Sequence, residues 1–315
     1  MKNLLLVAFV ACIGTTAYSQ TIDPFFAGSY SFVDLGSAPG VPANYGGITV
    51  QPGNMSSLVL GGAANGANGA IYDVGVTRQD VNGLMRITGF SGSSTQISTA
   101  PNIDGGLTVA PNGSFLYTGY SNNIIGEIKQ GSTTPDRITT VTSNGIASSV
   151  GSLVFVPGGT PGAGRLKVLS YSASTWYDLP YAVDGSGLYT FGAASAPIQL
   201  IGGLEGAVYV PGGSPLIANP SVLVAEYGNG VISIYDIDGI GDPIAASRRV
   251  FMSGLGGAEG AMIDPTTGDF LFSTFGGGNR VIAVRGFAPV PEPATFAVLG
   301  LGLAALARKR KASRK

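Results

Sequence analysis

Apolar and polar residues alternate in short runs through most of this chain, and the runs recur. "GGITVQPG", "GGLTVAPN", "GSLVFVPG", "EGAVYVPG" and "EGAMIDPT" share a small residue, apolar side chains at alternate places, then a proline and a turn. The prolines are Pro52, Pro111, Pro157, Pro211 and Pro265, separated by 59, 46, 54 and 54 residues. A period of two predicts strands, and proline ends each one because it has no N–H for the ladder. A second strand follows each turn: "SSLVLGG", "GSFLYTGY", "GRLKVLSY", "SVLVAEYG" and "DFLFSTFG". In three copies an aromatic and a polar turn lead to a third strand, "YSNNIIGEI" from Tyr120, "YGNGVISIYDI" from Tyr227 and "FGGGNRVIAV" from Phe275. Helical periodicity is nearly absent from this region.

Strand, turn, strand, turn, strand at intervals near fifty residues is the pattern of four-stranded propeller blades. Five repeats predict an all-β propeller of five blades. The fifth repeat ends at "RVIAVRGF" with no fourth strand, and "AGSYSFVDLG" from Ala27 precedes the first repeat without a partner. An N-terminal strand that completes the last blade would remove both open edges. Six blades are an alternative, because the first and third repeats are irregular; a β-sandwich is another. The stretch "GLTVAPNGSFLYTGYSNNIIGEI" resembles bacterial propellers of the NHL and YVTN-repeat type, and the resemblance covers most of residues 21–287. It implies a fold, not a role, since such repeats host binding, scaffolding and catalysis alike.

The two ends break the pattern. Residues 1–19 combine Lys2, an apolar stretch from Leu4 to Ile13, and small residues Ala17 and Ser19. That is the composition of a secretory signal peptide, with cleavage after Ser19; a lipoprotein signal at Cys12 is the alternative. Residues 20–287 form the body and 288–293 a linker containing Pro291, Glu292 and Pro293. Residues 294–307 are an uncharged apolar run, expected to form a hydrophobic helix that inserts in a membrane. Residues 308–315 carry Arg308, Lys309, Arg310, Lys311, Arg314 and Lys315. A run of fourteen is short for a bilayer span, which needs about 20 residues. The flanking prolines and the basic end nevertheless separate it from a buried core helix, and basic residues hold such an end in the cytoplasm. "VPEPATFAVLGLGLAALARKRK" closely resembles a PEP-CTERM sorting signal. The resemblance implies recognition by exosortase, removal of the tail near Pro291–Pro293, and delivery of the body to the cell surface or extracellular polysaccharide. The route is through the inner membrane of a Gram-negative-type bacterium, with signal peptidase as the other processing partner.

Composition then removes chemistries. The sequence has no histidine, and its single cysteine, Cys12, lies in the signal. Histidine-dependent triads, cysteine nucleophiles, disulfides and zinc–thiolate sites are therefore excluded from the exported body. Setting aside Lys2 and the six basic residues of the tail leaves ten of the seventeen; setting aside Glu292 leaves seventeen of the eighteen acidic residues. A body near −7 is a poor partner for nucleic acid.

Few residues stand out as candidate chemistry. Glu205 and Glu259 occupy the same place in the fourth and fifth repeats, six residues before their prolines, where an innermost strand would start beside the central channel. Two carboxylates there could share a cation, and they resemble the metal-binding Glu of gluconolactonase-type propellers. The other repeats carry Gly46, Gly105 and Gly151 at this place, with Asp104 one residue off register. Hydrogen-bonded or exposed rim carboxylates are the competing reading. Asp236, Asp238 and Asp242 in "YDIDGIGDP" faintly suggest a calcium loop, but Ile240 and Ser247 stand where ligands belong, so an ordinary turn is expected. Trp176 and Tyr177, with Tyr171 and Tyr181, could stack on sugar rings or fill a blade core. The "NMS" at Asn54 and "NGS" at Asn112 match a glycosylation sequon of a length that arises by chance.

The expected function is a non-enzymatic binding or structural propeller at the cell surface or extracellular matrix, without cofactor, and with extracellular polysaccharide as a candidate partner. The alternative is a calcium-assisted lyase or lactonase with Glu205 and Glu259 at the metal.

Overall fold

The computed structural model describes residues 19–288, and they form an all-β, five-bladed propeller. The innermost strands are Ile48–Gln51, Ile103–Val109, Val150–Phe155, Leu204–Val210 and Ala258–Ile263, each carrying one sequence repeat. They lie side by side in a closed ring around a channel. Every blade packs against two neighbours, so both faces of its strands are apolar. The core accordingly divides into five clusters, one in each gap between blades.

Closure uses the N-terminal segment, as the unpaired fifth repeat requires. Ser31–Gly36 pairs with Val281–Arg285 as the outermost strand of blade 5, and Arg280 is paired with Asp34 across this seam. Just upstream, Thr21–Ile22 pairs with Arg249–Ser253 on the outside of blade 4. One segment thus covers the edges of two blades. The irregular repeats are explained by added hairpins, not by a sixth blade. In blade 1, Ala70–Val81 pairs with Thr95–Thr99 over its first part and with Leu84–Phe90 over the rest. In blade 3, a hairpin of Tyr181–Val183 and Tyr189–Phe191 precedes the outer strand Ile198–Gln199. Each hairpin grips a neighbour: Arg78 meets Asp264 at 2.6 Å and Arg86 pairs with Asp269 on blade 5, while Asp184 meets Arg137 of blade 2 at 2.7 Å.

Buried hydroxyls join adjacent blades near the channel. Thr118 Oγ1 accepts from the Gly106 N–H at 3.0 Å and donates to the Gly151 carbonyl of the next blade at 2.7 Å. Ser273 Oγ repeats the arrangement, accepting from Gly260 at 2.9 Å and donating to Gly46 at 2.5 Å. Each satisfies a buried donor and acceptor that would otherwise be costly.

Two candidates from the sequence become structural here. Trp176 and Tyr177 are consecutive on one strand, so they point to opposite faces. Trp176 lies in the core cluster shared with Val222, Val224 and Tyr235 of blade 4, with its ring edge-on to Tyr209 at 6.4 Å, and Tyr177 in the cluster shared with Leu116 and Ile125 of blade 2. Both are buried, and neither offers a ring face to a ligand. The Asp236–Asp242 loop is a turn: Asp238 Oδ1 accepts the Ile240 and Asp242 N–H groups, each at 2.9 Å. Asp242 itself turns inward, taking Lys167 Nζ at 2.6 Å and Trp176 Nε1 at 2.9 Å.

Strand direction defines two faces. The inner strands start, and the second strands end, at the upper face; the proline turns lie on the lower face. Residues 1–18 and 289–315 lie outside the described residues, and with them the expected signal peptide up to Tyr18, the expected hydrophobic helix, and Pro291, Glu292, Pro293, Arg308, Lys309, Arg310 and Lys311. Among the described residues no helix is long and apolar enough to cross a membrane.

Candidate functional site

At the upper end of the channel the first residues of three inner strands converge. Asp104, Glu205 and Glu259 bring carboxylate oxygens within 4.8 Å of one another, and all three residues are buried. Glu205 and Glu259 arrive as the repeat register suggests. Asp104 is adjacent to the equivalent position, Gly105, and a regular strand would point it away. The register of Ile103–Val109 shifts between Ile103 and Leu107, and such an irregularity re-aims a side chain.

Two of the three glycines that interrupt the ring of carboxylates, Gly105 and Gly151, leave the space Glu205 occupies. A Cβ on Gly105 would stand 2.6 Å from Glu205 Oε2, and one on Gly151 2.8 Å. Glu205 therefore leans over two neighbouring blades, and larger residues there would expel it.

Three acidic groups in so small a buried space are electrostatically unfavourable as ions. Burial pushes Asp104 up to about 7. Burial, then the Asp104 charge, raises Glu205 well above the usual carboxylate range; burial, then the Glu205 and Asp104 charges, does the same for Glu259. Among the described residues no Lys or Arg forms an ion pair with any of the three. Asp104 Oδ2 and Glu205 Oε2 are buried without a hydrogen-bond partner, as is Asn65 Oδ1 on the same cavity.

Above the carboxylates opens a cavity of about 280 Å³ walled by Tyr120, Tyr171, Tyr227 and Phe275. The rings follow one another edge to face, with centroids 6.4, 5.9 and 6.4 Å apart. Each stands directly after the second strand of its blade, in blades 2 to 5; blade 1 has Ala63 there, and Asn65 beyond it lines the gap. Tyr171 has its hydroxyl pKa raised by burial first and by Glu205 next, which places it over the acidic floor.

This site is part legible and part hidden in the sequence. Glu205 and Glu259 meet; Asp104 joins them; Trp176 and Tyr177 do not approach. Sequence reasoning does not assemble the aromatic collar as a set, although its signal is there: an aromatic closes each of "GSFLYTGY", "GRLKVLSY", "SVLVAEY" and "DFLFSTF".

The tail is settled by a family comparison. The PEP-CTERM protein-sorting motif model matches residues 289–311. The chain carries a PEP-CTERM sorting motif. This PEP-CTERM motif indicates export and surface sorting and implies processing by exosortase. No curated protein matches the sequence. Among solved structures, the body is similar to the PQQ-bound aldose sugar dehydrogenase of Streptomyces coelicolor, at 14% identity and a TM-score of 0.42, covering 80% of this chain and 83% of that one. It is also similar to a putative gluconolactonase, at 11% identity and a TM-score of 0.42, covering 83% of each chain. Virginiamycin B lyase from Staphylococcus aureus is 12% identical with a TM-score of 0.38, over 81% of this chain and 99% of that one. Likenesses at this level transfer no activity.

Proposed function

We propose that this protein is a surface-displayed binding propeller whose channel mouth holds a hard divalent cation, calcium first, through Asp104, Glu205 and Glu259. The observation that carries the reading is the buried carboxylate triad with orphaned oxygens. A cation would supply the positive charge that no side chain among the described residues provides there. The donors are all oxygen, which suits Ca²⁺ or Mg²⁺ and not the softer metals. Asn65 Oδ1 is a fourth oxygen on the same wall. The aromatic collar then forms the walls for an oxygen-rich ligand such as a surface polysaccharide, whose C–H faces pack on the rings. Upstream, the reading has signal peptidase cutting after Ser19, the run 294–307 entering the membrane, and exosortase removing the tail near Pro291–Pro293. An intact mass of surface-extracted protein spanning Gln20 to about Pro291 supports that order of events; a mass retaining Arg308–Lys315 contradicts the removal step.

Calcium titration of the purified body tests the site. One ion per chain is expected, and at a free concentration 100-fold above Kd it should add about 2.7 kcal/mol. For a chain of this size that is roughly a 5–10 °C rise in Tm. The double variant Glu205→Gln, Glu259→Gln keeps the shape but removes the charge, so it should fold, lose the calcium response, and be no less stable than the parent in EDTA. An unchanged calcium response in that variant sinks the proposal. Catalysis is the competing outcome: turnover of a sugar lactone or uronate polysaccharide that vanishes in the same variant would replace binding by a calcium-assisted reaction.

A further inference from the structure

The described chain starts and stops on opposite faces of the propeller. Thr21 pairs with Ser253 at the upper end of blade 4. The last strand runs downward, from Val281 beside Ser273 to Val284 beside Phe270, and the chain then passes Phe287 to Ala288. Ala288 is held on the lower face, its N–H donating to Ser214 Oγ at 2.9 Å in the turn after Pro211. Phe287 packs against Tyr30 at 4.7 Å, and the Tyr30 hydroxyl donates to the Pro215 carbonyl, so the exit is pinned from two sides.

Apolar side chains gather around this exit. Leu216, in the same turn as Ser214, is 48% exposed, and Phe25, edge-on to Phe26 at 4.9 Å, is 58% exposed. Ile240 and Ile244, on the connection between the third and fourth strands of blade 4, are exposed on the same face. Burying side chains of this kind at a lipid interface would remove apolar surface from water.

The length of the linker limits how far the body can stray from the hydrophobic tail. Only residues 289–293 separate Ala288 from the apolar run beginning at Ala294. Fully extended, that leash reaches about 20 Å. A body of this length is about 45–50 Å across, from a radius of gyration of roughly 18 Å. The leash is too short to pass around the body and bring the other face down.

We propose that the lower face is a membrane-contact surface: while the tail is present, Phe25, Leu216, Ile240 and Ile244 rest at a lipid interface and the carboxylate and tyrosine mouth points away from it. The proposal rests on the reading that 294–307 enters the membrane. It gives the short linker a consequence, since it fixes which face is offered to ligands outside.

Tryptophan quenching by lipid tests it on the full chain reconstituted in vesicles of zwitterionic lipid with a brominated fraction. The single native tryptophan, Trp176, is fully buried and gives a constant background that also reports folding. Variants Phe25→Trp and Leu216→Trp should be quenched at least twofold more than Asn122→Trp, which lies on an exposed upper turn. Ile244→Trp provides a third lower-face position should one of the first two fail to fold. Equal quenching at all positions, or stronger quenching at position 122, overturns the orientation. Positions 25 and 216 shielded from both brominated lipid and aqueous acrylamide would mean that protein covers this face, and would overturn it too. A full chain that does not co-float with the vesicles refutes the membrane reading itself, a failure distinct from an inverted or flat quenching pattern.

Discussion

Replacing Lys167 with alanine is expected to cost about 3–5 kcal/mol of folding stability, the usual penalty for removing one member of a buried ion pair. Lys167 is fully buried between blades 3 and 4, with its Nζ 2.6 Å from Asp242 and 3.6 Å from Asp178. Alanine leaves both aspartates with less compensation and opens a cavity where the aliphatic stem was. A protein of this kind has about 5–15 kcal/mol in total, so the loss should lower Tm by roughly 10 °C or more. Trp176 supplies the local probe, because its indole N–H donates to the same Asp242 carboxylate at 2.9 Å. Its emission should shift in the folded variant. Lys167→Met with Asp242→Asn removes both charges and keeps the volume, and should recover part of the loss. If Lys167→Ala melts within about 2 °C of the parent, the pair is not holding the two blades together.

The second large effect is a dependence on pH that runs opposite to ordinary acid denaturation. Asp104, Glu205 and Glu259 hold protons in the folded, metal-free state that they release on unfolding. Wherever the native state binds more protons than the unfolded one, stability falls as pH rises. The window opens near the unfolded carboxylate value of about 4 and for Asp104 closes near 7. At about 1.4 kcal/mol per pH unit per proton, Asp104 alone accounts for roughly 4 kcal/mol across that window. Asp269, pushed up to about 6 by burial against the pull of Arg86, adds to the fall in the same direction. Glu226 acts in a different range. Burial raises it, but hydrogen bonds led by Arg248 outweigh burial and leave it below its ordinary value, so its stabilisation is lost only as pH drops below the usual carboxylate range. Urea unfolding in EDTA from pH 4 to 8 should therefore show a falling midpoint. Calcium should flatten the curve by replacing the protons, and the Glu205→Gln, Glu259→Gln variant should flatten it in part without calcium, leaving the Asp104 and Asp269 contributions. A midpoint that rises through this range in EDTA contradicts the buried triad.

These two effects come from the same physical situation, charge enclosed by five tightly packed blades, with opposite solutions. At Lys167 the protein supplies both signs and the pair becomes structural. At the channel mouth the described residues supply one sign only, and the balance has to come from protons or a cation. That contrast is the reason to assign function to the triad and not to the Asp242 network, although both contain buried acids.

What the amino-acid order determined is what depends on local repetition. Alternation and proline stops set the five inner strands, and the unpartnered "AGSYSFVDLG" required closure by an N-terminal strand. The tail announced its sorting role through three adjacent composition changes, because such a signal acts as a linear segment. Equivalent places in the repeats put Glu205 and Glu259 at one end of the channel. The tertiary structure alone decided the rest. Asp104 joined the cluster through a strand irregularity that alternation cannot reveal. Trp176 and Tyr177 went to opposite blade interfaces because consecutive strand residues diverge and both faces of a blade are buried. Asp242 left its turn for a lysine 75 residues away in sequence. The two ends of the described span, near Thr21 and Ala288, took opposite faces through pairing between strands more than two hundred residues apart. Each of these rests on contacts between distant segments, and only closing the ring brings them within reach of one another.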